Sequence, residues 1–183
     1  MKLYSRAMSE EFMQTRPSKA GIFSIFLSCC LTAFPAQGLE TDGEQAVEYT
    51  ADGDLRMHNE GNSRLVVINE NVRVTQGTIE IIGDTATFEY DLTTSDLILM
   101  KVTVNGSPAH YQQQINAAGD LVEGESETID YYVDVNSIVE FVGNAKFSQP
   151  GTTTNCVAIK YFIESELFET TGPCSGVLSN QTN

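Results

Sequence analysis

Residues 71–77 read NVRVTQG, and residues 144–151 read NAKFSQPG. In each copy apolar side chains fall at alternate positions, one basic residue stands between them, and Gln leads into the closing Gly. The first copy runs on into a second alternation, TIEII at 78–82. Successive side chains of a strand point to opposite faces. Period two therefore predicts strands with one buried face, and the Gln-Gly endings predict turns between them. A chain that repeats this unit stacks similar strand pairs, so its function resides in what those strands enclose or touch. That argues against most enzyme readings.

The pattern extends in both directions. Short strands are predicted at 47–50, 55–57, 65–68, 72–75, 78–82, 86–90 and 97–104, then at 110–115, 128–132, 138–142, 145–148, 157–163 and 167–170. Turn signals separate them: Asp52-Gly53-Asp54, HNEGN at 58–62, Glu70-Asn71, Gly83-Asp84, Asn105-Gly106, NAAGD at 116–120 and Gly143-Asn144. No stretch sustains a 3.6-residue period, so helices are expected to be absent or short. Regularly spaced short strands imply an all-β rolled or layered domain, read here as a single one from about residue 45 to 178. A three-part unit recurs within it, a strand ending in an aromatic, a polar tip and a returning strand: ATFEY–DLTTSD–LILMKVTVNG, TIDYY–VDVN–SIVEFVGNAKF and AIKYF–IESE–LFETTG. Stacked hairpins of this kind bury a continuous apolar seam and leave an unpaired strand at each end.

The 183-residue chain has a different front end. Lys2, Arg6, Arg16 and Lys19 precede an uncharged apolar stretch at 21–34, and small residues follow at 35–38. This order fits a secretory signal peptide over 1–38, cleaved after Gly38 or Ala36. The apolar stretch is short beside the roughly 20 residues a membrane span needs. An uncleaved anchor and a lipoprotein attached near Leu27-Ser28-Cys29 are the alternatives, and Met8 or Met13 could serve as the start. The exported part is then 39–178 with a tail at 179–183, and residues 39–46, being polar, are expected to be flexible.

Export leaves 23 acidic and six basic residues, a net charge of −17 for residues 39–183. So acidic a surface repels nucleic acid and anionic membranes, and neither is an expected partner. Cys156 and Cys174, eighteen residues apart, reach an oxidising compartment, where a disulfide between them is plausible. A metal site is less well supported, because there is no C-x-x-C and the only histidines, His58 and His110, lie far apart.

Catalytic patterns are missing as well. No G-x-S-x-G frames a nucleophile, and no glycine-rich phosphate loop precedes a helix. Asp52-Gly53-Asp54 begins like a calcium loop and does not continue. Gly124-Glu125-Ser126-Glu127 reads as a polar loop before a strand, and His110 as a solvent-facing strand residue. The large side chains of the inward phase carry more information: Val47, Tyr49, Leu65, Val67, Val72, Val74, Phe88, Tyr90, Tyr111, Ile129, Tyr131, Phe141, Phe147, Ile159 and Tyr161. They read either as an ordinary core or as the lining of an apolar groove for acyl chains.

Four runs carry a specific resemblance: ENVRVTQGTIEI at 70–81, GSPAHYQQ at 106–113, VEGESETIDY at 122–131 and VGNAKFSQ at 142–149. In order and spacing they resemble the LptA (OstA-like) family of periplasmic lipopolysaccharide-transport proteins, over nearly the whole exported part. The resemblance implies a β-jellyroll of folded antiparallel sheets with open edge strands, a periplasmic location, and neither catalysis nor a cofactor. It implies lipopolysaccharide as ligand, held by its lipid A acyl chains. It also implies an LptC-like inner-membrane partner, an LptD-like outer-membrane translocon, and head-to-tail stacking of copies through edge strands. A membrane-anchored LptC-like component or a structural jellyroll scaffold is the alternative.

The family's lipid-lining positions fall on Val47 and Tyr49 in the first strand and on Tyr111, Tyr131 and Val133 in the middle strands. Phe88 and Phe141 join them from the inward phase. The chain departs from the family in charge: residues 85–96 hold no Lys or Arg, and Glu80 stands where a Lys can occur. Paired cysteines are not a family requirement.

Overall fold

The computed structural model describes residues 42–133 and 137–179. The signal, anchor and lipoprotein readings of residues 1–38 fall outside them, as does most of the polar tip at 134–137. Ten strands form one antiparallel sheet: β1 (Glu48–Thr50), β2 (Leu55–Glu60), β3 (Ser63–Gln76), β4 (Ile79–Asp91), β5 (Ile98–Gln114), β6 (Leu121–Tyr132), β7 (Ile138–Gln149), β8 (Thr152–Phe162), β9 (Leu167–Thr171) and β10 (Ser175–Leu178). Among the described residues, helix is confined to two three-residue 3-10 turns, Asp42–Glu44 and Ile163–Ser165. From β3 to β8 each strand pairs with the next in sequence. β1 and β2 both pair with β3, and β9 and β10 both pair with β8, so each edge is one strand path broken in two.

The breaks lie in a row. Register shifts separate Asn69 from Val72 on β3, Ile82 from Thr85 on β4, Asn105 from Ala109 on β5, Glu125 from Thr128 on β6 and Val142 from Ala145 on β7. Residues 51–54 interrupt the first edge, where the Asp52 and Gly53 amides donate to the carbonyls of Glu70 and Asn69 (2.9 and 3.1 Å). Residues 172–174 interrupt the last edge. A bulge bends its strand, and a row of bulges across neighbouring strands creases the whole sheet. The crease gives two leaves. One holds β1, β10 and residues 72–82, 109–125 and 145–156; the other holds β2, β9 and residues 63–69, 85–105, 128–142 and 158–162.

The leaves face each other across the core. Tyr111 of the first leaf meets Phe141 of the second edge to face, with ring centroids 5.6 Å apart, and Phe147 meets Tyr161 at 5.2 Å and Phe168 at 5.0 Å. Gly124 sits beneath this cluster, where a Cβ would run into the Phe141 ring. The crease crosses every strand, so the apolar interior runs the length of the strand stack, from one open edge to the other. This is the folded jellyroll that the resemblance implied.

The two copies of the opening motif now have a structural meaning. Asn71 and Asn144 both sit in the crease with φ of 51°, a left-handed conformation that Asn tolerates better than most residues. Gly77 and Gly151, with φ of 61° and 76°, make the turns at the leaf tip. Each copy is one strand's run from crease to tip. The three-part units are the β4–β5, β6–β7 and β8–β9 hairpins on the second leaf.

Several expectations need correction. Glu70-Asn71, Gly83-Asp84, Asn105-Gly106 and Gly143-Asn144 are crease positions inside long strands, not turns between short ones. Residues 124–127 are strand, the middle of β6. β8 begins at Thr152, earlier than expected, and β10 was not anticipated. On β3 the buried pair is Val66 and Ile68, whereas Leu65 and Val67 are only half-buried on the other face. The run LVVI is apolar in both phases, so alternation could not choose between them.

Candidate functional site: the apolar interior and its mouth

Seven residues were expected to line a lipid groove, and the structure divides them. Phe88, Tyr111, Tyr131 and Phe141 are buried, none more than 3% exposed, and all belong to the central cluster. Val47 and Val133 are half-buried and pack against that cluster from its margin. Tyr49 lies on edge strand β1, 48% exposed, with its ring tilted against Phe88 at 5.6 Å. In the present conformation the interior is therefore filled by the protein's own side chains. A ligand chain entering it must either displace them or come in where the packing ends.

The packing ends opposite the crease, where the tips of the two leaves approach. A cavity of about 620 Å³ lies there, lined by Ile79, Gln113 and Ile115 of the first leaf and Tyr131, Ser137 and Ile163 of the second. Its remaining lining is acidic: Asp42, Glu164 and Glu166, beside Gly43. Among the described residues, no Lys or Arg borders it. Of the six Lys and Arg among the described residues, four are ion-paired on the outer faces. Lys101 pairs with Asp130 (3.5 Å), Lys146 with Glu125 (3.0 Å), Lys160 with Glu140 (2.9 Å) and Arg73 with Glu80. Such exposed pairs contribute little to stability, typically below about 1 kcal/mol each. They do tie up much of the positive charge that could otherwise serve the mouth.

Sequence reasoning missed the residues that close this mouth. Residues 39–46 were expected to be flexible, yet Asp42 is 2% exposed and the Asp42–Glu44 turn sits between the leaf tips. The Asp42 carboxylate accepts from the Thr78 amide (2.9 Å), the Thr78 hydroxyl (2.6 Å) and Gln113 Nε2 (3.3 Å). A carboxylate taken out of water must find such partners or lose stability. Gln76 Nε2 donates to the carbonyls of Gly43 and Gln45 at 3.2 and 2.9 Å. The network continues inward: Tyr111 donates its phenol to Gln113 Oε1 (2.9 Å), and Tyr131 donates to Gln76 Oε1 (2.6 Å). A signal existed, because Gln76 follows Val72 and Val74 in the inward phase and Gln113 follows Ala109 and Tyr111. A polar residue in an apolar phase announces a buried partner, although the pattern does not say which one.

The phenols of this interior titrate high. Burial, aided by the Asp42 carboxylate, raises Tyr131 from the ordinary 10.0 to about 12. Burial also pushes Tyr111 well above its usual range, with Tyr161, Tyr131 and Asp42 adding to the shift. The sign of the linkage follows. An unfolded Tyr loses its proton from about pH 10, whereas the folded one keeps it. The stabilisation is complete below pH 10 and is lost as pH rises toward 12. Urea midpoints should thus stay level up to about pH 10 and fall above it, and Tyr131→Phe should make that fall shallower. An alkaline limb identical in both proteins would mean that Tyr131 is not held in this setting.

At the far end of the sheet Cys156, on β8 at the crease, is disulfide-bonded to Cys174 in the break between β9 and β10, with Cα atoms 4.3 Å apart.

The family described as "LptA/(LptD N-terminal domain) LPS transport protein" matches residues 50–167, from the end of β1 to the start of β9. The chain belongs to this LptA/LptD N-terminal domain family. A curated relative, the lipopolysaccharide export system protein LptH of Pseudomonas aeruginosa, is 30% identical over 141 residues, 77% of each chain. The crystal structure of LptH is described as that of the LptA-homologous periplasmic component of the conserved lipopolysaccharide transport device. It superposes with a TM-score of 0.65 at 25% identity, covering 76% of this chain and 99% of that one. The family match takes in the crease, most of the central aromatic cluster and the mouth residues Gln76, Thr78 and Gln113. Asp42 precedes it.

Proposed function

We infer that this chain is a periplasmic lipopolysaccharide-binding bridge protein, carrying lipopolysaccharide from an inner-membrane complex to an outer-membrane translocon. The observation that carries this reading is the continuous apolar interior, which runs from one open edge to the other and faces a mouth along its side. Acyl chains leave water for such an interior at about 25 cal/mol per Å² of apolar surface buried, while sugars and phosphates stay solvated outside. The open edges suit extension of the trough. β2 exposes Leu55 and Met57, β9 exposes Leu167, and β10 exposes Val177 and Leu178. An unpaired edge strand is a template for another chain. A second copy, an LptC-like inner-membrane partner and an LptD-like translocon are the occupants we assign to these edges.

Photocrosslinking tests the ligand. A photoreactive residue replacing Val133 at the margin of the core cluster, or Ile163 at the mouth, should capture lipopolysaccharide in living cells, and one replacing Lys101 on the outer face should not. Capture at Lys101 alone would refute an interior site. Depletion of the protein in its source bacterium tests the role. Lipopolysaccharide should then accumulate at the inner membrane, and an unchanged outer leaflet would refute transport.

A further inference from the structure

The buried network at the mouth directs five hydrogen bonds from Gln76, Thr78 and Gln113 onto residues 42–45. It is also built almost entirely from uncharged groups. Thr78 supplies an amide and a hydroxyl, Gln113 and Gln76 supply side-chain amides, and Tyr111 and Tyr131 hold those amides in place from behind. These groups lie at the boundary between the apolar interior and the acidic rim formed by Glu164 and Glu166. At present their donors point at the Asp42 carboxylate and at the carbonyls of Gly43 and Gln45. Gly77 is needed for the fit, because a Cβ there would strike the Asp42 carboxylate.

Resting on the lipid-carrier reading, we propose that the Asp42–Glu44 turn is a built-in occupant of the ligand's mouth, a lid whose oxygens stand in for the carbonyl and hydroxyl oxygens at the roots of the ligand's acyl chains. Three observations support this. The donors are neutral and suit ester, amide and hydroxyl oxygens. The rim is acidic and, among the described residues, lacks Lys and Arg, so it turns phosphates outward. The turn closes the gap between the two leaves, so chains entering from the side must move it. Binding then exchanges one set of oxygen acceptors for another, and no donor of the network is left buried and unpaired. The lid lowers the apparent affinity by the fraction of molecules in which it is open.

Hydrogen exchange on the exported protein tests the displacement without a mutation. The Gln45 amide donates to the Asp42 carbonyl (3.1 Å) and the Thr78 amide to its carboxylate. On adding lipid A, the Gln45 amide should exchange faster while Thr78 stays protected. Slower exchange at Gln45 would mean that the turn closes over the ligand, which overturns the proposal. Affinity gives a second readout. Asp42→Ala should bind lipid A about tenfold more tightly, the gain expected if about a tenth of wild-type molecules are open. The gain should persist with lipid A stripped of its phosphates. A gain confined to the phosphorylated lipid would show that Asp42 merely repels anions, and equal binding by variant and wild type would show that it guards nothing. In both cases the lid falls and the carrier reading stands. Lipid A bound by neither protein would remove both.

Discussion

Phe147→Ala is expected to lower the unfolding free energy by about 3–5 kcal/mol, the range for emptying a large aromatic site in a core that collapses poorly. Phe147 is 1% exposed and stands where the creased sheet closes on itself. Its ring lies 6.0 Å from Phe141, 5.2 Å from Tyr161 and 5.0 Å from Phe168, centroid to centroid, and all three partners belong to the opposite leaf. The pairs are tilted or edge-on, arrangements that add about 0.5–1.5 kcal/mol each beyond area burial. Backbone hydrogen bonds hold each strand to its neighbours within the sheet, but the leaves meet face to face through side chains. Removing Phe147 therefore loosens the closure itself. Urea denaturation should show the loss as a lower midpoint, while Val157→Ala, on a 53% exposed residue of the same strand hairpin, should change stability by no more than about 0.5 kcal/mol. A loss below about 1 kcal/mol at Phe147 would mean that something other than this cluster holds the leaves together.

The strands of this jellyroll were legible in the sequence, and the crease was not. NVRVTQG announces a strand with one buried face and a tip turn, and the structure supplies both. Its leading Asn, however, looks the same whether the chain reverses or only bends, because both need a residue that tolerates positive φ. What separates the two cases is pairing: β3 continues through Asn71 and keeps β4 as its partner on both sides, a contact no local pattern encodes. The same limit hid residues 121–127 of β6. There the inward positions are Val122, Gly124 and Ser126, and the small residues leave room for Phe141 where alternation offers no large side chain to read. Residues 152–156 (TTTNC) were passed over because they join the sheet through backbone pairing with little apolar content of their own.

The candidate site was legible in part for the same reason. Tyr111, Tyr131, Phe88 and Phe141 declare themselves by size and phase. Asp42 is polar by composition and buried by its partners, 36 and 71 residues away in sequence. Its burial is a tertiary fact, visible only once Thr78 and Gln113 have been brought to the same mouth.

Opening the Cys156–Cys174 cross-link is the second large effect expected, at about 3 kcal/mol for a loop of this length in the chain-entropy estimate. The loss should also be uneven. β9 has two supports without the disulfide, its five-residue pairing with β8 and the packing of Phe168 on Phe147. β10 has pairing with residues 152–155 but scarcely any packing, since Val177 and Leu178 are 63% and 79% exposed. The disulfide joins the chain just before β10 to the strand that β10 must find, so it holds in register an edge that side chains do not. In the double variant Cys156→Ser/Cys174→Ser, which leaves neither partner as a free thiol, amides of residues 175–178 should lose hydrogen-exchange protection well before those of 167–171. Global stability, read from urea denaturation, should fall by about 3 kcal/mol. Uniform loss across both strands, or a change below about 0.5 kcal/mol, would overturn the assignment. If the distinction holds, it bears on assembly. With the cross-link closed, β10 covers residues 152–155 and presents the edge to a neighbouring jellyroll. With it open, β8 itself becomes the edge, displaced by one strand on the first leaf only, and a partner pairing there would meet a step in the sheet.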